Sequence, residues 1–179
     1  MYDIEKIRSD FPILTRTVNN KPLVYLDNGA SAQKPQVVID AVTRAYAEEY
    51  ANVHRGLHYL SNLVTEKYES VRGTIARFLG APNEDDIVLN TGSTMGINTV
   101  AYGWAMPRLK AGDEIILSVM EHHANIVPWH FLRERQGVKL TWIDCALDGS
   151  FDEQRLIDAI GPKTKLIAIT QMSNVLGTR

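Results

Sequence analysis

The feature that most constrains this chain is an alternation. From Glu114 onward, short apolar runs and helical segments take turns. Glu114-Ile115-Ile116-Leu117-Ser118 is followed by a helical pattern over about 126–135 that Gly137 stops. A run over 138–143 follows. Then come a helical pattern over about 152–160, a break at Gly161-Pro162, and the run Lys165-Leu166-Ile167-Ala168-Ile169-Thr170. Apolar runs of strand length separated by helices imply βαβ units and a parallel sheet. In such sheets ligands bind beyond the carboxyl ends of the strands. Three polar clusters fall at those ends: Thr91 to Thr94, Glu121 to Asn125, and Ser173-Asn174.

The first cluster belongs to Asn90-Thr91-Gly92-Ser93-Thr94-Met95-Gly96-Ile97-Asn98. It follows Asp86-Ile87-Val88-Leu89, which reads as a buried strand, and precedes a helix over 97–104 that closes near Pro107. A strand-to-helix turn exposes backbone N–H groups at the positive end of a helix dipole, where a phosphate is stabilised. Gly92 allows close backbone approach, and Ser93 and Thr94 add hydroxyl donors. The same residues also read as an ordinary N-capped helix start. Neither a Walker A loop nor a GxGxxG fingerprint is present.

Upstream, Ile4 to Phe11 reads as a short amphipathic helix ended by Pro12, with Ile4, Ile7 and Phe11 on one side. Pro22 to Leu26 reads as a short strand, and Asp27 to Ala32 as a turn of small residues. Pro35 opens a helix to about Tyr50 whose buried stripe is Val38, Val42, Ala45 and Tyr46. Asn62 to Leu79 reads as a long helix stopped by Gly80. His54 and His58 have the spacing of a helical metal pair, but Gly56 lies between them and no third ligand is evident. A loop offering His54 and Arg55 to an anion or a neighbouring subunit is the better reading. Glu121-His122-His123 also lacks zinc spacing, so no metal is expected.

With 19 Lys and Arg against 21 Asp and Glu, the chain is near neutral and has no basic block. That argues against nucleic acid or an anionic membrane as partner. No run is long and apolar enough to span a bilayer, the N-terminus is unlike a signal peptide, and a cytoplasmic protein is expected. The single cysteine, Cys145, rules out an internal disulfide framework and reads as a buried small hydrophobe.

A phosphate cradle, an imidazole and an amide at neighbouring strand ends suit an aromatic phosphorylated cofactor. At this point the sequence resembles the N-terminal part of the cysteine desulfurases dependent on pyridoxal 5'-phosphate, in the class V aminotransferase group, SUF-type branch. The resemblance is carried by Asp10-Phe11-Pro12-Ile13-Leu14, by Tyr25 to Pro35, and by Val53-His54-Arg55-Gly56-Leu57-His58. Further on it is carried by Thr91-Gly92-Ser93-Thr94, by Met120-Glu121-His122-His123-Ala124-Asn125-Ile126-Val127-Pro128-Trp129, and by Ser173-Asn174-Val175-Leu176-Gly177. It implies an α/β fold, the first part of the aspartate-aminotransferase-like (fold type I) large domain. Residues 1–34 would form an N-terminal helix and substrate-side loop, and 35–179 the incomplete cofactor-binding domain.

The resemblance also assigns roles. Gly92, Ser93 and Thr94 match the phosphate site, His122 the histidine on the cofactor ring, and Asn174 the amide beside the cofactor oxygen and substrate carboxylate. Gly29 and Ala30 match a loop near the substrate, and His54 and Arg55 a loop near the dimer and active-site mouth. Gly29 stands where the family usually has Ala, and Met95 where it usually has Glu. The implied parent activity converts L-cysteine to L-alanine, passing sulfur as a persulfide to a protein acceptor for iron-sulfur cluster assembly, in a homodimer. The family's cofactor-bearing Lys, its pyridinium-pairing Asp, its substrate Arg and its sulfur-carrying Cys match nothing in these residues, so no catalytic residue is expected here and the chain alone should be inactive. A selenocysteine lyase, another class V enzyme, or a non-catalytic remnant are the alternatives, with a generic phosphate or nucleotide binder behind them. The family's strand order further implies that 87–89 lacks sheet neighbours and that the strand over 165–170 presents an open apolar edge.

Overall fold

A computed structural model describes residues 2–178, in two compact units that divide between Leu89 and Asn90. The first unit opens with α1 (Ile4–Ser9), whose first turn is capped by the Asp3 carboxylate accepting from the Lys6 N–H at 3.1 Å. After a 3-10 turn at Pro12–Thr15, β1 (Thr17–Val18) pairs antiparallel with β2 (Lys21–Pro22). Asn19 and Asn20 close that hairpin with φ of 51° and 60°, the left-handed turn conformation that Asn tolerates. The strand expected over 22–26 therefore shrinks to its first residue. Residues 23–26 continue without a ladder partner, because β1 is only two residues long.

Two helices dominate this unit. The first, α2 (Gln36–Arg44), continues as a π-type segment to Glu49, and α3 runs over Tyr59–Leu79. Gly80, at φ 71°, ends α3 as expected, while its start lies three residues earlier than the sequence suggested. His58 caps that start through its imidazole, which accepts from the Ser61 N–H at 3.4 Å. The apolar stripe of α2 is not buried: Val42 is 53% and Tyr46 73% exposed. Val38 and Ala45 are exposed as well. Helical spacing fixed which face is apolar, but no element of this unit covers it. The strand expected over 86–89 is absent too. Glu84–Asp86 forms a 3-10 turn, and Ile87 to Leu89 run extended with no sheet partner. Arg72 of α3 holds this segment, donating to the carbonyls of Ile87 (3.2 Å) and Glu84 (3.0 Å).

The second unit is built around a three-stranded parallel sheet of order β4-β3-β5: β3 (Glu114–Ser118), β4 (Lys139–Ile143) and β5 (Thr164–Ala168). Leu117 lies opposite Trp142 on one side and Ala168 on the other. Central β3 is buried on both faces, which is why its sequence is a continuous apolar run rather than an alternation. Helix α4 (Ser93–Thr99) continues through a π-type segment (Val100–Ala105) into α5 (Met106–Arg108). It begins four residues before the helix read from the sequence, because Gly92 already breaks the chain. Helices α6 (Val127–Gln136) and α7 (Glu153–Ala159) connect the strands, with Gly137 at φ 70° ending α6 and the Asp152 carboxylate capping α7.

Ala101, Ala105, Leu109, Ile115, Leu117, Trp129, Leu132 and Val138 pack into one core, with Leu140 and Leu166 against it. Each large side chain so enclosed contributes about 1.5–3 kcal/mol. Cys145 is only partly buried, in an isolated bridge opposite Phe151, rather than in the core where the sequence reading put it. The outer edge at β5 is exposed as expected, with Ile167 39% accessible. Among the described residues no helix is long and apolar enough to cross a membrane.

Candidate functional site

The carboxyl edge of β3 and β5 gathers the chemistry of the second unit. Gly92 precedes α4 with φ 131° and ψ 171°, a conformation that only glycine adopts readily. No side chain caps the helix that follows, and the Gly92 N–H itself donates to Asn90 Oδ1 at 2.8 Å. Within the described residues the first-turn N–H groups of Ser93 and Thr94 therefore have no acceptor, and both residues are exposed. This is a set of donors only, at the positive end of a helix, and it fits a phosphate.

The turn after β3 packs against this helix start. His122 is exposed, but its position is fixed. Its Nδ1 accepts from the Ala124 N–H at 3.1 Å, and its carbonyl accepts from the Asn125 N–H at 2.7 Å. An acceptor Nδ1 leaves the proton of the neutral ring on Nε2. The rings of His122 and His123 stand edge-on to each other at 78°, so only one can lie flat on a given ligand.

Asn174 is exposed on the turn after β5. That turn is built on the buried Ser173, whose Oγ accepts from the N–H groups of Val175 (3.2 Å) and Leu176 (3.1 Å). It also leans on Gly149, at φ 79°, where a Cβ would meet Leu176 Cδ1 at 2.8 Å. A cavity of about 50 Å³ lies at the same strand ends, lined by Ser118, Met120, Phe151 and Thr170 among others. It is far below the few hundred Å³ of a cofactor pocket, so these residues alone do not enclose a cofactor.

The remaining sequence-derived candidates, Gly29, Ala30, His54 and Arg55, lie in the first unit. Gly29 and Ala30 are exposed in a turn where the Ala30 N–H donates to the Asp27 carbonyl at 3.2 Å. His54 adopts φ 66°, unusual for a residue with a Cβ. It is held there by its N–H on Thr65 Oγ1 (2.8 Å), by Nε2 against Glu69 (3.2 Å) and by edge contact with Tyr68. Gly56 is required nearby, since a Cβ would lie 2.4 Å from that of buried Ser61. Arg55 is exposed and forms no ion pair among the described residues.

Sequence reasoning singled out Glu121 only as a poor metal candidate. It is buried, and three groups donate to it: Ser118 Oγ, the Thr170 N–H and Asn125 Nδ2. Two of these donors are near in sequence, Ser118 three residues before and Asn125 four residues after, but the Thr170 N–H lies 49 residues away, so no local signal marks the site. Among the described residues no group of three or more metal-ligating side chains converges.

Comparison with known proteins gives a consistent picture. The family model described as aminotransferase class-V matches residues 24–179. A cysteine desulfurase of Enterobacter sp. (strain 638) is 50% identical over 177 residues, which is 99% of this chain and 44% of that protein. The crystal structure of the cysteine desulfurase CsdA from Escherichia coli aligns with a TM-score of 0.83 at 38% identity, covering 99% of this chain and 43% of that one. The apo cysteine desulfurase of Thermococcus onnurineus NA1 aligns with a TM-score of 0.88 at 34% identity, over 99% and 42%. The chain thus spans less than half the length of the curated relatives it matches, 44% for the Enterobacter protein.

Proposed function

The chain belongs to the aminotransferase class-V family, and from that premise we propose that residues 35–179 are the first part of a large domain binding pyridoxal 5'-phosphate. Its cofactor half-site is the carboxyl edge of β3 and β5. Residues 1–34 serve as an N-terminal helix and substrate-side loop. The proposed activity of the whole protein is cysteine desulfuration, L-cysteine to L-alanine with the sulfur leaving as a persulfide. The observation that carries this reading is the pairing of the uncapped α4 start with the fixed, exposed ring of His122 on the turn packed against it.

Pyridoxal phosphate, when bound, supplies an electron sink for breaking bonds in an amino acid. The chain's own residues have separable tasks. The N–H groups and hydroxyls of Ser93 and Thr94 bind the phosphate, and Gly92 keeps the approach open. His122 would hold the cofactor ring, with its own proton on Nε2. The Asn174 amide orients a cofactor oxygen or the substrate carboxylate. Gly29, Ala30, His54 and Arg55 belong to the substrate side. The covalent step needs groups that match nothing in these residues, so binding without turnover is the behaviour proposed for the chain alone. On the same reading the whole enzyme works as a cytoplasmic homodimer and hands its sulfur to a protein acceptor for iron-sulfur cluster assembly.

A titration of the protein with pyridoxal phosphate, followed by absorbance and by borohydride reduction, tests the reading. Saturable, non-reducible binding that His122→Ala weakens supports it. Absence of saturable binding, or binding indifferent to His122→Ala, removes the half-site. A borohydride-reducible adduct would mean that a lysine of this chain takes on the covalent role.

A further inference from the structure

Resting on that reading, we propose that Glu121 is a positioning residue: its buried carboxylate locks the 121–125 turn so that His122 offers a single tautomer, with its proton on Nε2, to a bound ring. Glu121 is only 8% exposed and forms no ion pair among the described residues. It is satisfied by three donors from three parts of the sheet edge. Oε1 accepts from Ser118 Oγ at the end of β3 (2.5 Å) and from the Thr170 N–H beyond β5 (2.9 Å). Oε2 accepts from Asn125 Nδ2 at 2.8 Å.

The Asn125 amide is itself committed on every side. Its second N–H donates to the Ala168 carbonyl at 3.0 Å, and its Oδ1 accepts from Trp129 Nε1 at 3.0 Å. Trp129 is 2% exposed in the core, so the anchor is rigid. Between the two anchored residues, Glu121 and Asn125, lies the turn whose Ala124 N–H meets His122 Nδ1. A carboxylate is the only common side chain of this length with two acceptor oxygens and no donor. Glutamine cannot replace it. Its NH2 must oppose either the fixed Thr170 N–H or the Asn125 NH2, and turning the Asn125 amide over would set donors and acceptors against Trp129 and Ala168. An unsatisfied buried donor is costly, and the turn can relieve it only by opening.

Long-range proton–nitrogen spectra of 15N-labelled protein, recorded without cofactor and with His122 assigned through His122→Ala, read the tautomer directly. The wild type is expected to show one tautomer, protonated at Nε2. Glu121→Gln is expected to show a mixture, together with about tenfold weaker binding of pyridoxal phosphate. Ser118→Ala, which removes one donor with little change in volume, is expected to shift both readouts the same way by less, and it decides the matter if Glu121→Gln does not fold. A wild-type ring protonated at Nδ1 overturns the proposal outright. So does a folded Glu121→Gln protein with a lowered melting temperature but an unchanged tautomer, since that role would be structural only. The cofactor reading fails separately: if the wild type takes up no pyridoxal phosphate while the variant still scrambles the tautomer, the half-site is lost and the positioning role of Glu121 stands.

Discussion

The two units handle apolar residues in opposite ways. In the unit from Asn90 the apolar residues close on each other: Ile115, Ile116, Leu117 and Leu132 are fully enclosed, and small Ala101 and Ala105 share one core with Ile115, Leu117 and Leu132. In the unit up to Leu89 only Ser61 and Ala76 are buried among the described residues, while Val42, Tyr46, Val71 and Phe78 face outward at helical spacing. Both stretches have amphipathic helices. The difference is a sheet. A parallel sheet brings a broad apolar surface against which helices bury their stripes, and a two-residue hairpin does not. The candidate cofactor residues lie in the unit with its own core, and the substrate-side candidates in the unit without one.

The sharpest way to break this contrast is a pair of truncations. Leu117→Ala is expected to destabilise the second unit by about 2–5 kcal/mol, and Val42→Ala to change stability by no more than about 0.5 kcal/mol, both read from urea unfolding. A Val42→Ala cost equal to that of Leu117→Ala would mean that the α2 stripe is covered in solution. Gly56→Ala tests a tight spot of the first unit. Its Cβ would collide with Ser61, so a loss of about 1–3 kcal/mol and faster amide exchange over 52–61 are expected. Gly92→Ala meets no neighbour but must hold φ 131°, at a cost of about 1–3 kcal/mol. It should weaken pyridoxal phosphate binding while leaving exchange in β3 protected.

The smallest effect is at Asp148. The Ser150 N–H, at 2.9 Å, holds its carboxyl below the usual carboxylate range. A depressed value means that the turn gains from the ionised form above the ordinary Asp value of about 3.9 and loses that gain as the pH falls through the lower folded one. The Ser150 amide shift should follow that acid transition, and Asp148→Asn should abolish it.

What the sequence made legible was local. β3, α6 with Gly137, and α7 with its Asp152 cap follow from short-range pattern and capping chemistry, and the structure has them within a residue or two. Ile87 to Leu89 has strand composition, but a strand exists only with a partner, and composition carries no information about the partner. Val38 and Val42 failed for a related reason: periodicity names a face and not its cover. Ser93 and Thr94 could be singled out because small polar residues after an apolar run are a local signal, whereas only the family resemblance set His122 apart from His123. Glu121 could not, because one of its three donors, the Thr170 N–H, lies 49 residues away, and only the folded sheet edge brings it to the carboxylate.

The strand order carries a consequence for time. Closure length favours β3 meeting β4 first: the side-chain bond between Thr141 and Glu114 closes over 27 residues, whereas that from Thr164 to Glu114 closes over 50. Longer closures cost more chain entropy, by about 0.6 kcal/mol per doubling, and slow the search. β5 is therefore expected to dock last of the three strands, and with it comes the Thr170 N–H, 49 residues from the carboxylate that receives it. The bond from Thr170 to Glu121 is thus expected late in folding, so the signal of His122 would serve as a clock for refolding, settling only after β3 and β4 have joined.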